Sequence, residues 1–250
     1  MAFKDEFREE REAITKHGTF GQKWRYFWDY NFLRVIGISL AIFAIGFFGY
    51  DILSQPNILL NGIFINTLQY EGKTPEKDLA DGFLKSQGIT NKKTQVAFTT
   101  NFALTGENAA DFQTQETITV QSGAGSLDFV VCPVNHLIDF AYGGVFADLR
   151  EVLSAEELEK YKSRLLYIDL TIYEYLESAS GDEADINKME IPDCTKPEEM
   201  DNPVPIYINV DDCSKITNLY SYDPKDLCLG ISITTPHSEQ ISKFLNYVIE

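Results

Sequence analysis

Asp128–Leu149 reads DFVVCPVNHLIDFAYGGVFADL. Phe129 to Cys132 are four apolar residues with no polar break, too continuous for a strand with one wet face. Pro133 has no N–H to offer a ladder, and it ends the run. From Val134 to Tyr142 the apolar residues recur at helical spacing, and Gly143-Gly144 closes that segment. A buried strand that stops on a proline and turns straight into a helix is half of a βαβ unit.

The same alternation continues on the amino-terminal side. ILLNGIFINT, Ile58–Thr67, is rich in β-branched residues and suits a strand buried on both faces. In TPEKDLADGFLKSQG, Thr74 is a good N-cap, Pro75 fits the first helical position and Gly88 is a stop. TQVAFTTNF, Thr94–Phe102, reads as a second strand, followed by a helix from about Asn108. A third strand over Leu127–Cys132 and a helix over Val134–Tyr142 complete the series. The fold class expected is α/β, with one mostly parallel sheet and helices on both faces. Ligands of such sheets bind where strand carboxyl ends meet helix amino termini. The candidate ligand-binding residues are therefore Asn101 and Phe102 after the second strand, and Pro133, Val134 and Asn135 after the third.

Downstream, LSAEELEKYKSRL is helical, with Ser154 as cap and Glu157 completing a capping box. From Tyr173 to Asn202 acids, Ser, Gly and Pro accumulate, which reads as an exposed loop with a short hairpin. Asp182, Glu183 and Asp185 lack the spacing of a calcium loop and read as a solvated acidic face. Pro203–Val210 and Leu227–Thr234 are strands. The closing helix carries an apolar stripe of Ile241, Phe244, Leu245 and Val248.

Ahead of all this, VIGISLAIFAIGFFGY runs from Val35 to Tyr50 with no charge between Arg34 and Asp51. Phe32 and Leu33 extend it on one side and Ile52 and Leu53 on the other, enough to cross a hydrocarbon core of about 30 Å. The aromatics of WRYFWDY, Trp24–Tyr30, belong at a membrane interface. Some 34 residues precede the run and no small-x-small site follows it, so an uncleaved anchor is expected rather than a signal peptide. Lys4, Arg8, Arg11, Lys16, Lys23, Arg25 and Arg34 lie before the span, and the first cation after it is Lys73. The positive-inside rule places the amino terminus in the cytoplasm. Residues 1–31 form the cytoplasmic segment, 32–53 the transmembrane helix and 54–250 an extracellular α/β domain. Phe3, Phe7 and Ile14 mark a short amphipathic helix ending near Gly18.

The chain has 250 residues, 44% of them hydrophobic, and a formal charge of −17. Such a surface repels nucleic acid. Seven cations against six acids leave +1 before the span, and therefore −18 after it. Cys132, Cys194, Cys213 and Cys228 all fall on the outer side. Cys132 reads as a buried thiol, Cys194 and Cys213 are the candidates for a disulfide, and no Cys-x-x-Cys spacing marks a zinc site. The three histidines, His17, His136 and His237, have no nucleophile elbow, zinc-binding pair or phosphate-cradling glycine loop beside them. No enzyme, metal or cofactor is expected.

DFVVCPVNHLIDFAYGGVFADLREVL, NPVPIYINV and LGISITTPHSEQISKFLNYV together resemble the extracellular solute-binding proteins of ABC importers, over most of residues 58–250. The layout of leader, span and ectodomain also resembles single-pass membrane proteins of Gram-positive gut anaerobes. The resemblance implies a lobe of that fold and an association with a transporter. Two departures qualify it. About two dozen residues separate Val204 from Gly230, where the family carries a second lobe, and a transmembrane helix replaces the family's lipid-anchored cysteine. Two functions follow: an extracellular interaction domain serving an envelope complex alongside a transporter, or a small-solute module using the strand-end crevice of one lobe. Burying a solute needs a concave pocket, which favours the first.

Overall fold

A computed structural model of the chain describes residues 16, 18–67, 74–91, 93–105, 109–178, 186, 189–220, 222 and 224–250. The amphipathic segment at Phe3–Ile14, His17 and the acidic cluster at Asp182, Glu183 and Asp185 lie outside the described residues. The chain divides into two units, Met1–Gln55 and Pro56–Glu250.

The first unit carries the helix α1, Phe20–Ser54. Within it Asn31–Tyr50 is long and apolar enough to cross a membrane, about 30 Å at the helical rise. Its large side chains are exposed, among them Phe43 and Ile45. The helix extends back through the aromatic stretch, where Trp24 meets Phe20 at 6.3 Å and Trp28 at 5.9 Å between ring centroids.

The second unit is α/β, built on one six-stranded sheet. In chain order its elements are β1 (Asn57–Ile65), α2 (Pro75–Ser86), β2 (Thr94–Phe102), α3 (Ala109–Gly123), β3 (Phe129–Pro133) and α4 (Val134–Tyr142). Then follow α5 (Leu149–Val152), α6 (Ala155–Lys160), β4 (Leu165–Asp169), α7 (Leu170–Ser178), β5 (Pro203–Asn209), α8 (Ser214–Thr217), β6 (Leu227–Ile231) and α9 (Ser238–Ile249). The strand order is β2-β1-β3-β6-β5-β4.

The expectation of a mostly parallel sheet is corrected here, because the sheet is mixed. β1 pairs parallel with β2 and β3, whereas β3–β6, β6–β5 and β5–β4 are antiparallel. Parallel entry requires a crossover long enough to return the chain to its starting edge. The β1–β2 and β2–β3 connections hold α2 and α3, of 12 and 15 residues. The β5–β6 connection holds only the four-residue α8, so β6 enters from the end at which β5 leaves.

Side chains alternate across the sheet and divide the core in two. Leu60, Phe64, Phe129, Val131, Leu229 and Ile231 face the layer of α2 and α9. Ile63, Ile65, Val130, Cys132 and Cys228 face the layer of α3, α4 and α7. On the first face Phe129 stacks on Phe244 at 5.0 Å and meets Phe64 edge-on at 5.7 Å. Such pairs add about 1 kcal/mol each beyond the area they bury. Gly62 makes room for this cluster, since a Cβ there would lie inside the Phe129 ring. The alternation slips in β5, where the β4 pairing passes from Tyr207 to Pro205 and leaves Ile206 as a bulge.

Two further readings change. LSAEELEKYKSRL is not one helix: α6 ends at Lys160, and a 3-10 turn at Lys162–Arg164 leads into β4, a strand the sequence reading missed. Tyr173–Ser178 belongs to α7 and not to an exposed loop. Cys194 and Cys213, the candidates for a disulfide, are not paired, and all four cysteines are free. Cys194 packs against the second-face cluster and Cys213 lies in the first.

Candidate functional site

The parallel strands β2, β1 and β3 bring both predicted junctions to one end of the sheet. Asn101 and Phe102 end β2, Pro133 ends β3, and Val134 and Asn135 open α4, with the end of β1 between the two groups. Asn101 and Asn135 are exposed, whereas Phe102, Pro133 and Val134 are half-buried. Phe102 and Val134 both pack against the second-face core. An aromatic ring in that position contributes to the core before it can stack on a ligand.

The space between these residues is laced by the protein's own polar groups. Asn66 follows β1 with φ +62, a left-handed conformation that Asn tolerates. Its backbone N–H donates to the Phe102 carbonyl at 3.0 Å. Its side-chain amide donates to the Leu104 carbonyl at 2.9 Å and accepts from the Leu104 N–H at 2.8 Å. Thr67 Oγ1 donates to the Thr100 carbonyl at 2.6 Å. Thr105 donates its N–H to the carboxylate of Asp111, a buried residue in the first turn of α3. On the β3 side, the Val134 N–H donates to the Asp226 carbonyl at 3.0 Å. At the β1–β2 ends the main-chain groups of Asn66, Phe102, Leu104 and Thr105 are bonded internally, and at the β3–α4 junction that of Val134 is.

Among the described residues, surface depressions lie elsewhere, and the following ones are not lined by the five predicted residues. A groove of about 710 Å³ runs between α2 and the first half of β2. A second, about 430 Å³, is bordered by Asp139, Tyr142, Tyr173 and Glu177. A third, about 670 Å³, follows the outer side of β4 beside Arg164 and Asp212.

The densest polar cluster is at the opposite end of β3, and the sequence reading missed it. Asp128, 1% exposed, accepts from the Asn61 N–H at 2.6 Å, from Thr235 Oγ1 at 2.5 Å and from His237 Nδ1 at 3.0 Å. Beside it the buried Ser122 and Ser232 hydroxyls bond each other at 2.8 Å, and Thr234 Oγ1 donates to the Ser122 carbonyl. The residues come from β1, α3, β3 and the segment leading into α9, so the cluster fastens the carboxy-terminal helix to the sheet. An Asp–His pair is half of a nucleophile-activating relay. Among the described residues, however, no hydroxyl or thiol is hydrogen-bonded to the His237 ring. The only local signal was the pairing of Asp128, ahead of a buried strand, with His237, ahead of a helix, and 109 residues of sequence separate them.

Two thiols face each other across the β3–β6 pair. Cys132 and Cys228 are register partners, and Cys228 Sγ donates to the Cys132 carbonyl at 3.3 Å. Burial pushes both thiols well above the ordinary cysteine range, which suppresses the nucleophilic thiolate. Burial likewise pushes Cys213 up to about 11. Among the described residues no group of three or more His, Cys, Asp or Glu side chains could hold a metal ion.

No family model, curated protein or solved structure matches the chain. The folded unit is thus defined by its geometry: a single α/β unit on a mixed sheet, with a separate helix of membrane-spanning length.

Proposed function

We propose that the protein is a membrane-anchored extracellular interaction domain. In this reading residues 1–31 are cytoplasmic, 32–53 cross the membrane and 54–250 serve an envelope complex alongside a transporter of the ABC class. The membrane part rests on the length and apolar character of Asn31–Tyr50 and on the cations gathered before it. The observation that carries the choice of function is the strand-end crest. Asn66, Thr67 and Thr105 bond the ends of β1 and β2 and the start of α3 to one another, where a solute module would leave main-chain donors open. A small solute is held by a concave site that covers most of its surface. Among the described residues the laced crest forms no such enclosure, and its exposed surface suits a protein partner better. No catalytic step is assigned to it.

The purified full-length protein tests this by thermal unfolding against sugars, amino acids and short peptides. The expected result is no shift in Tm with micromolar ligand, since binding at a hundred times Kd would add about 2.7 kcal/mol. A shift of several degrees that Asn101→Ala or Asn135→Ala abolishes would establish the runner-up, solute binding at the strand-end crevice.

A further inference from the structure

The two edges of the sheet are treated differently. At the β4 edge, the Tyr167 N–H donates to the Cys194 carbonyl at 2.8 Å, so a passing segment covers that strand. At the other edge lies β2, nine residues long, TQVAFTTNF, with no charged side chain. Among the described residues nothing pairs with β2 on the side away from β1. The register with β1 slips beyond Thr99, where three residues of β2 span two of β1, so the regular part of this edge is Thr94–Thr99. An uncharged edge of that kind is a template for a further strand.

The register shows which groups are on offer. The Asn57 N–H donates to the Lys93 carbonyl, so alternate residues from there, 95, 97 and 99, turn their main-chain groups toward β1. Val96 and Phe98 turn theirs outward, into the groove of about 710 Å³ that α2 overhangs. The groove's charged lining is two acids, Glu76 and Asp81, and two bases, Lys77 and Lys85, beside the apolar Val96 and Phe98. On a chain of net charge −17 this patch is neutral, so a second acidic copy can approach here without like-charge repulsion at the contact.

We propose that β2 pairs antiparallel with β2 of a second copy, about a two-fold axis at Ala97, to give a continuous twelve-stranded sheet. This goes beyond the interaction-domain reading and rests on it only for the membrane anchor. The pairing is self-complementary. With Val96 and Phe98 as the outward hydrogen-bonding residues, Val96 of each copy lies opposite Phe98 of the other, so an aromatic and β-branched pair forms twice. One short strand buries less than the roughly 1,600 Å² of a standard interface, so the dimer is weak in dilute solution. Tethering both copies to a membrane raises their effective concentration.

The experiment uses the full-length chain in native membranes with a mild oxidant. Across the axis Ala97 faces Ala97 as a non-hydrogen-bonded pair with Cα atoms about 4.5 Å apart, within disulfide reach. Gln95 lies about 13 Å along the strand from its copy and is out of reach. Ala97→Cys is therefore expected to give a homodimer band under non-reducing conditions, and Gln95→Cys only the wild-type background. Adding Val96→Pro removes an outward N–H and no internal bond, and it should return Ala97→Cys to background with an unchanged circular dichroism spectrum. If that proline disturbs the fold, Ala97→Lys replaces it. It sets two ammonium groups across the axis without touching the backbone, and should abolish the wild-type homodimer captured by an amine-independent cross-linker. A band for Ala97→Cys no stronger than for Gln95→Cys overturns the proposal. An adduct of some other mass also overturns it, and would show that the edge takes a strand from a different protein.

Discussion

At the scale of single residues, two buried carboxylates do the fastening. Asp169 ends β4 and accepts the N–H groups of Thr171 at 3.0 Å, Asp201 at 2.8 Å and Asn202 at 3.1 Å. It thereby caps α7 and holds both ends of the segment that leaves after β4 and returns at β5. Burial alone would raise its pKa, but the three backbone donors outweigh burial and hold it below the usual carboxylate value. The stability it contributes is therefore complete above the unfolded value of about 4, and is lost as pH falls through the lower folded value. Asp169→Asn should lower urea-unfolding stability by roughly 1–3 kcal/mol at pH 7, and the gap to wild type should narrow below about pH 4. A gap unchanged between pH 7 and pH 3 would show that the charge is not what matters there. Asp128 gives a second case. Asp128→Ala leaves the Asn61 N–H, the Thr235 hydroxyl and the His237 ring without their acceptor. A loss of about 2–4 kcal/mol is expected, with earlier hydrogen exchange in α9.

At the scale of elements, what the sequence revealed depended on whether the local signal had one meaning. Ser154 and Glu157 form the capping box foreseen for α6, with the Glu157 N–H on Ser154 Oγ at 3.3 Å and the Ser154 N–H on Glu157 Oε2 at 2.9 Å. Ser154→Ala should cost about 1 kcal/mol in thermal or urea unfolding, and Ser154→Asp much less. The apolar stripe of α9 was equally legible, because Ile241, Phe244, Leu245 and Val248 fit only a helix. RLLYIDLTIYEYL, Arg164–Leu176, was not: its apolar residues satisfy strand and helix periods together, and no Gly or Pro marks the change between them. The mark was Asp169, which ends the strand and caps the helix at once. Strand direction was illegible for a different reason. Continuous apolar runs such as LCLGI report burial on both faces, and that is the same for a parallel or an antiparallel neighbour. The candidate site was legible as a location only. The register placed Asn101, Phe102, Pro133, Val134 and Asn135 at one end of the sheet, but the lacing by Asn66 depends on a left-handed residue that a sequence does not announce.

At the scale of the whole molecule, the distribution of charge and the apolar helix make one joint claim. Seven cations and six acids precede the span, leaving +1 there and −18 after it, with no Lys or Arg between Arg34 and Lys73. Cations close to a span resist translocation, whereas acids contribute little to orientation, so the basic flank sets the direction. The orientation proposed above puts the amino terminus on the cytoplasmic face, and in it Arg34 would reach the headgroups with Trp24 and Trp28 at the same interface. In that orientation the acidic unit Pro56–Glu250 would lie away from the anionic inner leaflet, which would otherwise repel it. Protease added to intact cells should remove an epitope placed after Glu250 and spare one placed before Met1; lysing the cells first should remove both. The outer unit should persist after short digestion, because its backbone is committed to a sheet and its covering helices, and a stable fragment near Pro56–Glu250 is the expected product. Replacing Lys23, Arg25 and Arg34 by Gln while placing three Lys after Leu53 should invert part of the population. An amino-terminal epitope cleaved from intact wild-type cells, with the carboxy-terminal one spared, would reverse the orientation and move the folded unit to the cytoplasm.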